Sequence, residues 1–174
     1  MNRVQQMLFS YLAEKNAKYY PYKTFIVDEE KRCTFEAFCR RTNALARGLL
    51  SRGLKAGDRV AVLNHNALEN VETFFGVMKA GGIAVPINVR LTASEVGEIL
   101  RDADPSLILA GKDYLDRIPD PEKKGRQVFG IQEEGHPFSV YESLIQGFST
   151  ERIECETDDD ETAMLIYTSG TTGK

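Results

Sequence analysis

Four short apolar runs recur along the chain, separated by longer stretches whose apolar residues follow a helical period. The runs RVAVL, IAVPI, SLILA and QVFGI occupy residues 59–63, 83–87, 106–110 and 127–131. They are apolar almost without interruption rather than at alternate positions, which is typical of strands buried on both faces. Such strands alternating with helices predict an α/β fold, a mainly parallel sheet flanked by helices. We expect Pro86 to mark a strand end or a sheet edge, because proline has no N–H for the ladder.

The strongest helix signal follows Thr34. Apolar residues repeat at helical spacing from Phe35 to Leu49, Thr34 is the predicted N-cap, and Gly53 suits the left-handed position after the helix. The sequence TASE at 92–95 predicts a capping box, in which the Thr and Glu side chains each bond the other residue's backbone N–H. These signals place helices between successive strands.

Weaker patterns complete the predicted order of elements. They are an amphipathic helix over 3–15, a hairpin of 24–28 with 32–35, helices beginning at NALE (66–69) and SVYE (139–142), a loop-rich stretch over 111–125, and a last strand AMLIY (163–167). Asn66 is the predicted cap of the NALE helix, and SVYE is interpreted as a second capping box.

Composition and charge exclude several classes of protein. The chain has 174 residues, 42% hydrophobic and 28% charged, which matches a globular domain and does not support a disordered or coiled-coil chain. Its 22 basic and 26 acidic residues give a net charge of -4, so no nucleic-acid partner and no general attraction to an anionic membrane are expected. The apolar stretches are far shorter than the roughly 20 residues of a transmembrane segment, and no secretory signal is evident. A cytoplasmic location is therefore expected.

The cysteines are consistent with the expected cytoplasmic location. Cys33, Cys39 and Cys155 show no CxxC spacing. Neither a disulfide framework nor a structural zinc site is indicated.

The sequence TSGTTGK at 168–174 directly follows an apolar run. Its two glycines let successive backbone N–H groups close around an anion, its hydroxyl side chains add donors, and its lysine adds positive charge. At the carboxyl end of a strand in an open α/β sheet, where ligands bind, this composition suits a polyphosphate. It is not a Walker A loop, because Thr168 stands where that motif needs glycine. A flexible linker is the alternative interpretation, although linkers rarely follow a buried strand.

The segment YTSGTTGK resembles the phosphate-binding signature of the adenylate-forming superfamily, which includes acyl-CoA synthetases, peptide-synthetase adenylation domains and luciferases. Residues 32–100 are similar, segment by segment, to the N-terminal subdomain of these enzymes, and the resemblance is weakest over 111–157. The stretch VPINVRLT at 85–92 is most similar to acyl-CoA synthetases that use medium- to long-chain fatty acids or related carboxylic acids.

This resemblance implies a two-step reaction. A carboxylic acid, here expected to be a fatty acid, attacks the α-phosphate of Mg-ATP to give acyl-AMP and pyrophosphate, and the thiol of CoA then displaces AMP. The implied cofactors are ATP, Mg²⁺ and CoA. The residues implied to contact the ATP phosphates are Thr168, Ser169, Gly170, Thr171, Thr172, Gly173 and Lys174.

In the superfamily the remaining functional residues lie beyond this signature, so residues 1–174 are expected to be an incomplete N-terminal subdomain. No catalytic residue and no metal ligand is assigned within it. We expect the 174-residue chain alone to be inactive and to self-associate through faces left exposed. Two alternatives stay open: a noncatalytic binding or assembly module, and an adenylation domain of a peptide synthetase.

A few other residues invite a functional interpretation. His65 is expected to lie in a loop without a catalytic role, and Cys39 to be a small core residue. Asn88 and Arg90 follow a predicted strand and could touch a ligand, but the favoured interpretation is that they fix the turn before Thr92. The four arginines of the predicted 34–52 helix are expected to form its solvated outer face; they are Arg40, Arg41, Arg47 and Arg52.

Overall fold

The computed structural model describes residues 9–131, 139–154 and 160–168. The helices are α1 (Phe9–Tyr19), α2 (Phe35–Ser51), α3 (Leu68–Lys79), α4 (Ala93–Ala103) and α5 (Asp120–Lys123), with 3-10 turns over Lys112–Arg117 and Tyr141–Leu144. The strands are β1 (Thr24–Asp28), β2 (Lys31–Thr34), β3 (Arg59–Leu63), β4 (Ile83–Pro86), β5 (Leu107–Gly111), β6 (Gln127–Ile131) and β7 (Ser139–Val140).

The main sheet has the strand order β4-β3-β5-β6-β7, and every neighbouring pair in it is parallel. The strands β1 and β2 form a separate antiparallel hairpin. A parallel sheet with helices in its connections is the predicted α/β fold, which is therefore confirmed.

The continuous apolar runs are explained by a core on each face of the sheet. Along β3, Val60 and Val62 join one buried cluster with residues of α2 and α3, while Ala61 and Leu63 join another with residues of α4. The same alternation occurs in β5, where Leu107 and Leu109 belong to the first cluster. Because successive side chains point to opposite faces, a strand covered on both faces has to be apolar throughout.

The strongest helix signals are confirmed in detail. The Thr34 hydroxyl accepts the Ala37 N–H at 3.2 Å, and Gly53 has a φ of 91°. At α4 the complete capping box is present, with the Thr92 N–H donating to Glu95 Oε2 at 2.8 Å and the Glu95 N–H donating to the Thr92 hydroxyl at 3.4 Å.

Two predicted caps are wrong. Helix α3 begins at Leu68 with Ala67 at its N-cap, and Asp28 of β1 instead accepts the Leu68 N–H at 2.9 Å. The SVYE segment begins in β7, and Val140 precedes the 3-10 turn without a side-chain cap. In both cases a residue from elsewhere in the fold takes part. Asp28 bonds the N–H that Asn66 was predicted to cap, and Arg41 bonds the Glu142 side chain that was predicted to cap the second helix.

The loop-rich prediction for 111–125 is wrong in part, because a 3-10 turn and the short helix α5 form there. Helix α1 continues beyond the predicted end at residue 15 to Tyr19, and the part of the prediction before Phe9 lies outside the described residues. No helix within the described residues is both long and apolar enough to cross a membrane.

Candidate functional site

The segment 163–168 runs beside β4 toward the carboxyl edge of the sheet. The Ala84 N–H donates to the Ala163 carbonyl at 3.1 Å, and the Leu165 N–H donates to the Ala84 carbonyl at 2.9 Å. These bonds form a parallel bridge between Ala84 and Met164. The segment therefore points the same way as β4 and carries Thr168 to the edge where open α/β sheets bind ligands.

The predicted strand AMLIY is reduced to that single bridge in the part of the chain described. Pro86 explains where the pairing stops, because the alternate residues of β4 face this segment and a proline has no N–H to continue the ladder. Pro86 is also the last residue of β4, which lies at the edge of the five-stranded sheet, as its sequence position predicted. The exposed fractions of Leu165 and Ile166 are 36% and 62%, so this run is not the buried strand that its apolar composition predicts.

A second contact holds the end of this segment against α4. The Tyr167 hydroxyl donates to Asp102 Oδ2 at 2.5 Å. Partial burial, together with this hydrogen bond and the charge of Asp102, raises the pKa of Tyr167 to about 12. At neutral pH Tyr167 is therefore a neutral hydrogen-bond donor, and its bond to Asp102 holds the chain next to Thr168 against α4.

A cavity of about 650 Å³ opens beside Thr168. Its lining residues are Asn88, Leu91, Glu95, Glu98, Ile99, Asp102, Tyr167 and Thr168. The charged groups of this wall are three carboxylates, which do not attract phosphate. The described wall of the cavity therefore supplies no positive charge for a bound polyphosphate.

Of the seven predicted phosphate contacts, the described residues include Thr168, which is exposed at the cavity. The others lie outside the described residues; they are Ser169, Gly170, Thr171, Thr172, Gly173 and Lys174. Within the described residues, no group of three or more His, Cys, Asp or Glu side chains could hold a metal ion.

Asn88 has the favoured role in the turn and also lies at the cavity. Its side-chain Oδ1 accepts the Arg90 N–H at 2.9 Å, which fixes the turn before Thr92 as favoured from the sequence. The same side chain lines the cavity beside Thr168. Arg117 also braces this loop by donating to the carbonyls of Val89 and Leu91, a contact that no local pattern indicates because the residues are far apart in sequence.

A buried pair of asparagines lies where β3 ends. Asn64 Nδ2 donates to Asn70 Oδ1 at 3.0 Å, and Asn70 Nδ2 donates to the His65 carbonyl at 3.0 Å. These bonds orient both amides and turn Asn64 Oδ1 toward Gly111, where a Cβ would stand only 2.4 Å away. Gly111 is therefore required for the close approach of β5 to this turn. His65 is exposed and lies 6.4 Å from the Tyr114 ring, measured between ring centroids.

The arginines of the predicted 34–52 helix form the expected solvated face only in part, because Arg40 and Arg52 are exposed whereas Arg41 and Arg47 are half-buried. Arg40 is exposed, but Arg41 donates to both oxygens of Glu72, at 2.6 and 3.0 Å, and to Glu142 at 2.5 Å. Arg47 donates to backbone carbonyls of the 149–152 segment, and the Arg52 guanidinium lies 5.5 Å from the Phe129 ring centroid.

Glu72 is completely buried at the centre of this network. Burial raises the pKa of Glu72, although the Arg41 hydrogen bonds act in the opposite direction. Burial alone would lower the pKa of Arg41, but its hydrogen bonds to Glu72 and Glu142 raise it overall. The Tyr141 hydroxyl also donates to Glu72, at 3.2 Å. The network joins α2, α3 and the 3-10 turn at 141–144, which is a structural role.

Lys79 is a buried cation that is held in a similar way. Its Nζ donates to Glu14 at 2.5 Å, to the Thr42 hydroxyl at 3.0 Å and to Asn43 at 2.7 Å. Cys39 is buried nearby, as predicted, and burial together with the charge of Glu14 raises the pKa of its thiol to about 12. Cys39 is therefore a core residue.

Comparison with known proteins agrees with this architecture. The family model described as AMP-binding enzyme matches residues 13–174. The chain is 34% identical over 149 residues to the long-chain-fatty-acid–CoA ligase FadD13 of Mycobacterium tuberculosis, covering 82% of this chain and 28% of that protein. It is 30% identical over 163 residues to tyrocidine synthase 1 of Brevibacillus parabrevis, covering 94% of this chain and 14% of that protein.

Among solved structures, the chain is similar to the anthranilate CoA ligase AuaEII in complex with anthranoyl-AMP. The TM-score is 0.88 and the identity is 26%, with 94% of this chain and 32% of that one covered. The chain thus spans a third or less of the length of each of these relatives. The family match covers the sheet, the helices around it and the segment that leads to Thr168, and the chain therefore belongs to the family of AMP-binding enzymes.

Proposed function

We propose that this chain is the N-terminal subdomain of an ATP-dependent acid–CoA ligase, which converts a carboxylic acid to acyl-AMP and then to acyl-CoA. The observation that carries the proposal is the position of Thr168. The parallel bridge to Ala84 and the Tyr167–Asp102 hydrogen bond bring it to the carboxyl edge of the sheet in a chain of the AMP-binding family. A phosphate loop is useful at that edge because ligands of open α/β sheets bind there.

The proposed work of residues 168–174 is to hold the β- and γ-phosphates of ATP. The hydroxyls of Thr168, Ser169 and Thr171 and the backbone N–H groups of the loop donate hydrogen bonds, and Lys174 supplies a positive charge. These groups stabilise the negative charge that moves onto pyrophosphate as the carboxylate attacks the α-phosphate. Mg²⁺ bound to ATP would neutralise further phosphate charge, and CoA would supply the thiol of the second step.

The proposed acid is a fatty acid. The support is the similarity to FadD13, whose name specifies long-chain fatty acids, together with the VPINVRLT stretch at 85–92. A peptide-synthetase adenylation domain is the second candidate, because tyrocidine synthase 1 matches 94% of this chain. The two candidates share acyl-adenylate formation and differ in whether CoA or a carrier protein accepts the acyl group.

We further propose that residues 1–174 alone are inactive and self-associate. The exposed apolar side chains of Leu165 and Ile166 support self-association, because they lie on an edge that is paired at one bridge within the described residues. A cytoplasmic location stays a prediction.

The test of the proposed function is product analysis with the complete protein that contains this chain. The protein is incubated with Mg-ATP, CoA and a panel of fatty acids, aryl acids and amino acids, and acyl-CoA and AMP are measured by mass spectrometry. We expect acyl-CoA and AMP in equal amounts with one or more fatty acids. An amino acid that is adenylated without transfer to CoA would favour the second candidate, and no AMP with any acid would favour the noncatalytic module.

A further inference from the structure

An exposed aromatic and basic patch lies at the end of α1, away from the sheet edge described above. We define it as Lys15, Lys18, Tyr19, Tyr20, Tyr22 and Lys23. The three tyrosines have exposed fractions of 63%, 58% and 81%, which are high for large aromatic side chains. Each of the three lysines is also exposed.

Two lysines of the patch lie beside its tyrosines. The Lys18 Nζ lies 5.9 Å from the Tyr19 ring centroid, and the Lys23 Nζ lies 5.7 Å from the Tyr20 ring centroid. Lys15 is four residues before Tyr19 on α1, so the two lie on the same side of the helix. The patch therefore brings an ammonium group beside an aromatic ring at two points.

The backbone beneath the patch is fixed. The Lys23 N–H donates to the Tyr20 carbonyl at 3.1 Å, which closes a turn with Pro21 at its second position. The first turn of α2 holds this turn in place, since the Glu36 N–H donates to the Pro21 carbonyl at 3.0 Å and the Phe35 N–H donates to the Lys23 carbonyl at 3.1 Å. The tyrosines are thus presented on a rigid support and need little ordering when they bind.

The charge of this region is opposite to that of the whole chain. The segment 15–27 contains three lysines and no acidic residue, whereas the chain has a net charge of -4. Glu14, the acid just before the segment, is paired with the buried Lys79 at 2.5 Å. Glu36, exposed in the first turn of α2, is an acidic side chain beside the turn, because its own N–H bonds the Pro21 carbonyl. The patch keeps a net positive charge with Glu36 counted.

We infer that this patch binds the surface of an anionic lipid membrane. Tyrosine rings favour the boundary between water and hydrocarbon, and lysines bind anionic headgroups while their apolar stems lie along that boundary. A second copy of the chain is a poorer fit, because a two-fold contact would bring the lysines of both copies together. The association is peripheral and reversible, since each lysine near an anionic surface strengthens binding only about fivefold.

The test is flotation of the intact protein with vesicles. We compare vesicles of phosphatidylcholine alone with vesicles that also contain phosphatidylglycerol. We expect binding to the anionic vesicles at low salt and its loss at about 1 M salt, where the Debye length falls to about 3 Å.

Two variants of the patch test its two components separately. Replacing Lys15, Lys18 and Lys23 by Gln should weaken binding by roughly tenfold or more, and the double variant Tyr20→Ser/Tyr22→Ser should weaken it several-fold. Glu36→Gln should strengthen binding, because it removes the adjoining negative charge. The matched control replaces the exposed Lys55, Lys112 and Lys124 by Gln, which changes the net charge by the same amount elsewhere.

The inference is overturned by any of three results. The first is the absence of binding to anionic vesicles at low salt. The second is an equal loss of binding in the control and lysine variants. The third is that the patch variants change dimerisation or binding to single-stranded RNA and leave vesicle binding unchanged. Circular dichroism of each variant checks that it is folded. The proposed ligase activity is not involved in these measurements, so the two proposals stand or fall independently.

Discussion

Arg41 and Arg40 are neighbours on α2 but have different surroundings. Arg41 bonds both oxygens of the fully buried Glu72, whereas Arg40 is exposed. Removing one partner of a buried ion pair leaves the other charge uncompensated, which costs more than the pair itself contributes.

We therefore predict that Arg41→Met lowers the free energy of unfolding by about 3 kcal/mol. Arg40→Met, the matched control, should change it by less than about 0.5 kcal/mol. Urea unfolding followed by circular dichroism measures both values. Equal effects of the two substitutions would show that Arg41 is no more important than a solvated arginine.

Cys39 gives a prediction that depends on pH. The pKa of its thiol is raised from 9.0 to about 12 in the folded protein, first by burial. Between these values the unfolded chain has released the thiol proton and the folded chain retains it, so folding stability falls as the pH rises through this window. Because the thiolate is the reactive form, alkylation of Cys39 by iodoacetamide at pH 9 should be much slower in the folded protein than in urea. Peptide mass spectrometry measures the two rates, and similar rates would contradict the assigned burial.

Helix α3 shows where sequence patterns fail at the level of an element. Its N-terminal N–H group at Leu68 is bonded by Asp28 of β1, 40 residues earlier, while Asn66, the predicted cap, is exposed. We predict that Asp28→Ala lowers the free energy of unfolding by about 1 kcal/mol, the usual cost of losing a cap, and that Asn66→Ala has little effect. Thermal unfolding of both variants provides the measurement. A larger loss of stability in Asn66→Ala than in Asp28→Ala would show instead that Asn66 caps α3.

The elements that the sequence predicted correctly are those determined by local patterns. The four apolar runs and the Thr34 and Thr92 caps depend on residues within a few positions of one another, and all appear in the structure. The failures involve distant partners. Glu142 of the supposed second capping box pairs with Arg41, and the run at 163–167 loses its pairing where Pro86 lacks an N–H. No local window contains these contacts.

At the scale of the whole molecule, the sheet lies between two buried layers, and Thr168 lies at the carboxyl ends of its strands. One apolar cluster lies between the sheet and helices α2 and α3, and the other lies against α4. The segment 163–168 crosses from the edge strand to α4 and ends at Thr168. The position of Thr168 follows from the parallel order of the strands, which the sequence predicted. The Tyr167–Asp102 contact that fixes it required the structure, because the two residues are 65 positions apart.

The most direct test of the central claim is acid-dependent exchange of labelled pyrophosphate into ATP, measured with the complete protein. This half-reaction is common to acid–CoA ligases and to peptide-synthetase adenylation domains, and in our proposal it uses the loop that begins at Thr168. We predict exchange that depends on a carboxylic acid and falls by roughly 100-fold or more in a Thr168→Val/Lys174→Ala variant, because the donors that stabilise the departing pyrophosphate are lost. Ser106→Ala, a substitution just before the amino end of β5 and away from the carboxyl ends of the strands, should leave the exchange unchanged. Exchange that is absent with every acid, or that is equal in the loop variant and the unaltered protein, would contradict the assignment of residues 168–174 as the phosphate site.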